Sequence, residues 1–228
     1  MKELIYLAEE PFYGFQGEGD TQGKHSLFIR FPGCNLRCSF CDSKFTWTDN
    51  GIAYNAETVG EMIKKTSNVV ITGGEPLLPK HEGFIVDFLV DYGDKISFEI
   101  ETNGTLVPNE MVLSLFKKYN VKLNISPKTN VAQDSAGLQK ATYPYLLDIG
   151  YSNKIVKFLL ENDEDLGYII EEQKNHSIPS ERIYIQPKGV DAKTILGIVK
   201  KYYDILIERG WNLSLRSHII IFGNIQGV

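Results

Sequence analysis

The sequence Cys34-Asn35-Leu36-Arg37-Cys38-Ser39-Phe40-Cys41 contains all three cysteines of this 228-residue chain. Thiolates this close together in one loop are soft ligands and indicate a metal site. A structural zinc site usually has four ligands in two separated pairs, and an iron–sulfur cube usually has four cysteines. Three cysteines could therefore hold three irons of a 4Fe–4S cube and leave the fourth iron open for chemistry. The residues leave two alternatives open: three free core cysteines, or a zinc site completed by His25.

Short apolar strands alternate with amphipathic helices along the rest of the chain. Such alternation favours a parallel sheet covered by helices, and a complete eight-unit barrel needs roughly 250 residues. We therefore predict an α/β fold, a partial parallel β/α barrel of about six strands, as a single domain over residues 1–228. Residues 1–24 are predicted to be mostly loop, 129–151 an irregular excursion and 218–228 a tail. Strands are predicted at 4–7, 26–31, 69–71, 96–100, 121–125, 154–160, 183–185 and 213–215, and helices at 58–65, 84–92, 108–119, 163–174 and 194–209.

Polar residues follow directly after several of these strands, at Cys34, Gly74, Glu101, Ser126 and Gln186. In parallel α/β architectures, ligands bind at the rim formed by the carboxyl ends of the strands. The agreement between this pattern and the cysteine loop predicts an enzyme with its site at that rim.

Composition excludes several other classes of protein. The formal charge of −5 gives no broad basic face for nucleic acid, and no run approaches the roughly 18 apolar residues of a membrane span. An odd number of cysteines argues against a disulfide framework, and residues 1–10 lack the apolar core of a signal peptide. We therefore expect a cytoplasmic protein with neither a nucleic-acid nor a membrane partner. His81 and His176 are expected at the surface, without a functional role.

Thr72-Gly73-Gly74-Glu75-Pro76 follows the next strand, and together with the cysteine loop it resembles the radical S-adenosylmethionine (SAM) superfamily. The resemblance implies that Cys34, Cys38 and Cys41 hold a 4Fe–4S cluster whose open iron binds the amino and carboxylate groups of SAM. It also implies an external one-electron reductant of the flavodoxin or ferredoxin type. The SAM contacts that it implies are Phe40, Cys41, Asp42, Gly74, Glu101, Ser126, Pro127, Lys128 and Gln186.

One branch of that superfamily, the 7-carboxy-7-deazaguanine synthase family, shares more of this chain. The resemblance rests on Phe15-Gln16-Gly17-Glu18-Gly19, Arg30, Asp42-Ser43, Phe45-x-Trp47 and Arg216-Ser217-His218. It implies conversion of 6-carboxy-5,6,7,8-tetrahydropterin to 7-carboxy-7-deazaguanine with loss of ammonia, and a homodimer. Ser43 would ligate Mg²⁺, where the family often has threonine; serine keeps the oxygen ligand. The substrate contacts that it implies are Phe15, Gln16, Gly17, Arg30, Thr72, His218 and Val228.

Two other functions remain open at this point. A glycyl-radical activating enzyme shares both loops but takes its hydrogen atom from a protein; the glycine-rich loop at 16–19 and Arg30 favour a small anionic substrate instead. The other alternative is a non-enzymatic iron–sulfur or zinc module, and the missing fourth cysteine argues against it. Arg30 itself could be an ordinary arginine of an edge strand.

Overall fold

The computed structural model describes residues 4–128, the backbone of 132–133, residues 144–223 and residue 225. None of the helices in this part of the chain is long and apolar enough to cross a membrane. The strands are β1 Leu4–Leu7, β2 Phe12–Phe15, β3 His25–Phe31, β4 Arg37–Cys38, β5 Ile52–Asn55, β6 Asn68–Gly73, β7 Ser97–Thr102, β8 Lys122–Ile125, β9 Ala132–Gln133, β10 Lys154–Leu160, β11 Ile183–Pro187 and β12 Asn212–Leu213. The helices are α1 Ala56–Ile63, α2 Glu82–Tyr92, α3 Glu110–Lys118, α4 Asp163–Asn175, α5 Ala192–Arg209 and α6 Ser217–Phe222.

The main sheet has eight strands in the order β12-β11-β10-β8-β7-β6-β3-β2. The pairs from β3 to β12 are parallel, and β2 is added antiparallel to β3 at one edge. Because β2 and β12 each pair on one side only, the sheet does not close on itself. The predicted α/β fold is confirmed, with six longer parallel strands, a two-residue seventh and an antiparallel edge strand.

Side chains alternate between the two faces of each strand, and this alternation separates the core from the site. In β3, Leu27, Ile29 and Phe31 are fully buried against the helices. Phe28 and Arg30 point to the other face and line a cavity. Helix α5, on the outer face, begins and ends at residues that favour helix ends. Asp191 caps its start by accepting from the Thr194 amide, and Gly210 ends it with φ of +64°.

One short strand was missed, and two histidines were predicted wrongly. The predicted strand at 4–7 is present as β1, but Phe12–Phe15, within the stretch expected to be loop, also forms a strand, β2, and stacks Phe12 on Phe28. Four residues with a central glycine carry too little periodicity for sequence to indicate a strand. His81 is buried, with its ring stacked on Phe31 and Nε2 bonded to the Pro32 carbonyl. The side chain of His176 is also enclosed, between Asp148 and Glu172.

The predicted tail and excursion are described only in part. Residues 217–222 form the short helix α6 rather than an extended tail, and a helix of under two turns has a weak sequence signal. Within 129–151, only 132–133 and 144–151 belong to the described residues, and β9 pairs with β4 of the cysteine loop. The rest of the predicted excursion lies outside them.

Candidate active site

The cysteine loop follows β3 and is organised by Arg37. The Arg37 guanidinium donates to the carbonyls of Cys34 (2.7 Å), Leu36 (2.8 Å) and Trp47 (2.9 Å). The amide of Cys41 also donates to the carbonyl of Cys38 across a tight turn. These bonds fix the path of the loop without using its sulfur atoms, and all three cysteines are unpaired thiols.

The donor set fits a cluster better than a single zinc ion. His25, the fourth ligand of the zinc alternative, lies at the opposite end of β3, a distance of about 20 Å along a seven-residue strand. It stacks on Tyr13 there, so that alternative is wrong. In the described residues, no three His, Cys, Asp or Glu side chains are grouped to hold one ion. A cube needs no such convergence, because each thiolate binds a different iron.

The thiols require deprotonation before they can bind iron. Burial raises the pKa of Cys34 to about 11 and also raises the pKa of Cys38, which is almost fully enclosed. Metal binding must therefore displace protons that the free loop holds at neutral pH.

The Gly73-Gly74 turn after β6 lies directly against the cysteine loop. A Cβ on Gly73, which has φ of +152°, would lie 2.3 Å from the Phe31 carbonyl oxygen, and one on Gly74 would lie 2.2 Å from that of Gly33. Only glycine allows this approach. The amide of Glu75 donates to the Gly33 carbonyl at 2.8 Å. The two sequence motifs therefore form one structural unit.

Glu75 connects this unit to the loop after β7. Its carboxylate is fully buried and accepts from the Asn103 amide (2.8 Å), the Thr102 hydroxyl (2.7 Å) and the Leu77 amide (2.9 Å). Asn103 in turn donates to the Asn35 side chain of the cysteine loop at 3.0 Å. Three rim loops are thus joined by hydrogen bonds around a carboxylate to which the sequence motif gave no separate role.

A cavity of about 630 Å³ opens at this rim and extends over the inner face of the sheet. Its volume is in the range of small-molecule sites. Pro127 is buried beside the cavity without lining it, and Val228 lies outside the described residues. The other predicted site residues all line the cavity: Cys34, Cys38, Cys41, Phe40, Asp42, Ser43, Gly74, Glu101, Ser126, Lys128, Gln186, Phe15, Gln16, Gly17, Arg30, Thr72 and His218.

The segment after β2 lies against the inner face of the sheet. Gln16 is almost fully buried, and its Nε2 donates to Glu101 (3.2 Å) and to Glu99 (3.4 Å), while its Oε1 accepts from the Glu18 amide. Gly17 packs on the His218 ring so closely that a Cβ would lie 2.0 Å from Nδ1. The predicted substrate segment and His218, the first residue of the predicted tail, therefore share one wall of the cavity.

Arg30 has a protein partner as well as access to the cavity. Its Nε donates to Glu9 Oε1 at 2.5 Å, whereas the family resemblance implied only a substrate contact. Its two terminal nitrogens make no hydrogen bond to any described residue. The fork of the guanidinium can therefore hold Glu9 on one side and present its other donors to a ligand.

The model of the Radical SAM superfamily matches residues 28–142. The 7-carboxy-7-deazaguanine synthase of Hyperthermus butylicus is 33% identical to this chain, over 93% of it and 91% of that relative. This chain belongs to the 7-carboxy-7-deazaguanine synthase family of the radical SAM superfamily. The synthase of Rhodopirellula baltica is 31% identical over 99% of this chain and 90% of its own.

A solved structure shows the same fold. The crystal structure of QueE from Escherichia coli matches with a TM-score of 0.64 and 24% identity, over 93% of both chains. The predicted family and the predicted partial barrel are therefore confirmed. Membership of the radical SAM superfamily implies a 4Fe–4S cluster and SAM, and the three free thiols beside the cavity fit that requirement.

Sequence reasoning missed a buried ion network in this synthase-family chain. Glu18 bonds to Lys157 and, at 3.1 Å, to Arg216, which also donates to Asp42 at 2.5 Å. Burial alone would raise the pKa of Glu18, but the charges of Lys157 and Arg216 outweigh it and lower that pKa. The network joins the N-terminal segment, β10, the segment before α6 and the cysteine loop. The available signal was Lys157, which interrupts the apolar run of β10 after Lys154, since a buried charge needs a partner.

A second missed cluster surrounds Glu99, which is 1% exposed. Its carboxylate accepts from Thr21 Oγ1 (2.5 Å) and Asn124 Nδ2 (3.1 Å) besides Gln16. Burial and the neighbouring Glu101 charge raise the pKa of Glu99 to about 7. Two glutamates two positions apart in an apolar strand point to the same face, so this sequence spacing could have indicated an inward acidic pair.

The remaining predicted residues sit at the rim with polar neighbours. Ser43 donates to Asp42 Oδ1 at 3.0 Å, and Lys128 donates to Ser126 Oγ at 3.1 Å. Gln186 accepts from Ser214 at 3.2 Å. Each of these contacts leaves further hydrogen-bonding capacity at the cavity wall.

Proposed function

We propose that this protein is a 7-carboxy-7-deazaguanine synthase, which converts 6-carboxy-5,6,7,8-tetrahydropterin to 7-carboxy-7-deazaguanine and ammonia. The observation that carries the proposal is one cavity that has the three-cysteine loop in its wall and Arg30 facing it. The full-length similarity to relatives bearing that name supports the same reaction. A small anionic substrate suits a cavity that has a guanidinium in its wall better than a protein substrate does, which argues against the glycyl-radical alternative.

The rim residues serve the cofactors. Cys34, Cys38 and Cys41 would bind three irons of a 4Fe–4S cluster, and the Gly74 carbonyl would accept from the amino group of SAM. When bound, the cluster and SAM supply a 5′-deoxyadenosyl radical, the hydrogen-abstracting reagent of this superfamily. The protein contributes position and exclusion of water. The residues that we propose to hold SAM are Phe40, Cys41, Asp42, Gly74, Glu101, Ser126, Pro127, Lys128 and Gln186.

The interior residues would orient the pterin. Arg30 would bind its carboxylate through the terminal guanidinium nitrogens, and Thr72 stands beside Arg30 in the register of β3 and β6. Gln16 is locked by Glu99 and Glu101, so it presents a fixed surface to the ligand. Phe15, Gly17 and His218 complete the proposed substrate site, and Val228 remains a proposal outside the described residues.

Ser43 is the proposed protein ligand for Mg²⁺. Its hydroxyl faces the cavity beside Asp42, and Mg²⁺ is usually held through few protein oxygens plus substrate and water. We expect turnover to rise with added Mg²⁺ and Ser43→Ala to weaken that response. Titration of initial rates with Mg²⁺ measures both. If chelation of Mg²⁺ leaves turnover unchanged, the metal has no part in the reaction. If Ser43→Ala responds to Mg²⁺ as strongly as wild type, Ser43 is not its ligand.

The resemblance also supports an external one-electron reductant of the flavodoxin or ferredoxin type and a homodimer. Three unpaired thiols that must bind iron support a reducing, cytoplasmic compartment.

The direct test is anaerobic reconstitution with iron and sulfide, followed by incubation with SAM, dithionite, Mg²⁺ and the carboxytetrahydropterin. We expect 7-carboxy-7-deazaguanine and ammonia in equal amounts, identified by mass spectrometry and ammonia assay. A parallel reaction without SAM should give neither. Cleavage of SAM to 5′-deoxyadenosine without pterin consumption would keep the radical SAM assignment but contradict the proposed reaction.

A further inference from the structure

One buried polar atom at the cavity wall has no partner. Asn124 is fully buried and lines the cavity. Its Oδ1 is inaccessible to solvent and makes no hydrogen bond to any described residue. An unpaired buried acceptor costs about 1–3 kcal/mol, so such an atom beside a cavity indicates a ligand that supplies the missing donor.

The surrounding residues fix the orientation of this amide. Nδ2 donates to Glu99 Oε1 at 3.1 Å. Gln16, whose own orientation is set by the Glu18 amide, donates to the same oxygen, so Glu99 Oε1 is an acceptor, the donor end of the amide must face it and the acceptor end must face away. Gly19 closes over the amide on the Nδ2 side, where an added Cβ would lie 2.9 Å from that nitrogen. Glu99 is itself held by Thr21 and Gln16, so the orientation of Asn124 has rigid support.

Asn124 stands at one end of a row of polar side chains. Arg30 is in register with Thr72, the register of Val70 with Glu99 continues to place Thr72 beside Glu101, and Glu101 is in register with Asn124. All four members of this row line the cavity. Three strand spacings separate its ends, about 14 Å between backbones. The row has a cation at one end and acceptors at the other.

A carboxypterin has the matching polarity. Its carboxylate is on C6, and its exocyclic 2-amino group is at the far end of the bicyclic ring system. With the carboxylate toward Arg30, the amino group lies toward Glu101 and Asn124, where two adjacent acceptors can take its two N–H donors. A ring with an oxygen at position 2 would instead present an acceptor to these acceptors.

We propose that Asn124 is a specificity-determining residue of this site, whose Oδ1 accepts a hydrogen bond from the 2-amino group of the pterin. This inference rests on the proposed function and adds to it a means of distinguishing 2-amino from 2-oxo rings. Glu99 then acts as a positioning residue, because it holds Asn124 without touching the ligand.

The test uses two ligands that differ at position 2, 6-carboxypterin and 6-carboxylumazine, which has oxygen in place of the amino group. Equilibrium binding to the reconstituted enzyme with SAM, without reductant, gives a ratio of two Kd values free of turnover. We expect wild type to prefer carboxypterin by at least about tenfold, the size of one well-formed hydrogen bond with its penalty. Asn124→Leu, which is similar in volume, should lose most of this preference while iron content and SAM affinity stay unchanged.

Two further variants separate recognition from folding. Asn68 is buried in β6 and bonds to Ser26 and Lys24 outside the cavity, so Asn68→Leu should keep the preference whatever stability it loses. Asn124→Asp retains an acceptor and should keep much of the preference. If Asn124→Leu does not fold, Asn124→Ala carries the same measurement.

An unchanged ratio in a folded Asn124→Leu or Asn124→Ala variant, even with weaker binding of both ligands, would make Asn124 merely structural and overturn the inference. Equal binding of the two ligands to wild type would overturn it as well. Failure of wild type to bind or convert any carboxypterin would instead be a failure of the proposed function, which the reconstitution experiment detects independently.

Discussion

The cysteine loop and the buried polar network, meaning the Glu18 ion network together with the Glu99 cluster, are assembled in opposite ways. The loop takes its three sulfur atoms from eight consecutive residues and is held by backbone-directed bonds of Arg37. The network takes its members from distant parts of the chain: Glu18, Glu99, Asn124, Lys157 and Arg216. The cysteine loop is therefore a local feature of the sequence, whereas the network forms only when the chain folds.

In the proposed function, this difference separates the part of the site that would hold the cofactors from the part that would hold the substrate. The loop presents soft ligands whose bonds are completed by a cofactor. The network puts opposite charges into the interior, where each compensates for the desolvation of the other. A change in the loop should therefore affect the cofactor and spare the fold, and a change in the network should affect the fold and the substrate but spare the cofactor.

Removal of one thiolate should have the largest effect. Cys38→Ala should lose the cluster and SAM cleavage together, because three thiolates are the whole set available to the cube. Anaerobic reconstitution should give about four irons per chain for wild type and far fewer for the variant, measured by iron assay and by 5′-deoxyadenosine formation. Ser39→Ala, at an exposed position of the same loop, is the matched control and should keep both. A Cys38→Ala enzyme with full iron and SAM cleavage would refute the ligand assignment.

The same contrast explains what sequence could predict. The cysteine loop, the Gly73-Gly74 turn and the six longer parallel strands were predicted because spacing and periodicity are local properties. The bond from Glu75 to Asn103 and the contact of Glu99 with Asn124 could not be, because they depend on which strands become neighbours and in which register. Arg30 lies between these cases: its inward direction follows from alternation along β3, but its bond to Glu9 does not.

Removal of a network charge should destabilise the fold. Lys157→Met leaves Glu18 buried with Arg216 as its remaining cation, and breaking a buried pair costs about 3–5 kcal/mol. We expect the free energy of unfolding of the cluster-free protein, measured in guanidinium chloride, to fall by about 3 kcal/mol, with normal iron uptake after reconstitution. Lys201→Met removes an exposed pair with Asp163 and should cost far less stability than Lys157→Met, because exposed ion pairs contribute little. Equal losses in the two variants would show that burial does not strengthen the Lys157 contact.

The Glu99 cluster should make stability depend on pH. The folded-state pKa of Glu99, about 7, is above its ordinary value of 4.5, so the native state holds this proton more tightly than the unfolded state. Its contribution is fully present below pH 4.5 and is lost as pH rises through 7, on the order of 3 kcal/mol in all.

Glu99→Gln cannot ionise and should remove that part of the pH dependence. We compare the free energies of unfolding of wild type and Glu99→Gln at each pH. Wild type should become less stable relative to Glu99→Gln as pH rises from 5 to 8. Glu61→Gln alters an exposed carboxyl whose pKa is lowered by Lys64, so its difference from wild type should stay flat over this range. A flat difference for Glu99→Gln would show that Glu99 is ionised throughout.

The smallest predicted effect tests whether Arg30 binds the substrate carboxylate or only pairs with Glu9. Arg30→Lys should weaken carboxypterin binding about tenfold, close to 1.4 kcal/mol, with cluster assembly and SAM affinity intact. The reason is geometric: the guanidinium binds Glu9 through Nε and keeps its terminal donors for a carboxylate, whereas an ammonium is a point charge that cannot serve both in the same arrangement. Equilibrium binding of both ligands to the folded variant measures the effect. Glu9→Gln is the informative comparison, because it removes the negative charge of the protein partner and leaves the ligand-facing nitrogens of Arg30 unchanged. If Arg30 were only structural, Arg30→Lys and Glu9→Gln would lose stability to a similar degree and neither would change the affinity for carboxypterin.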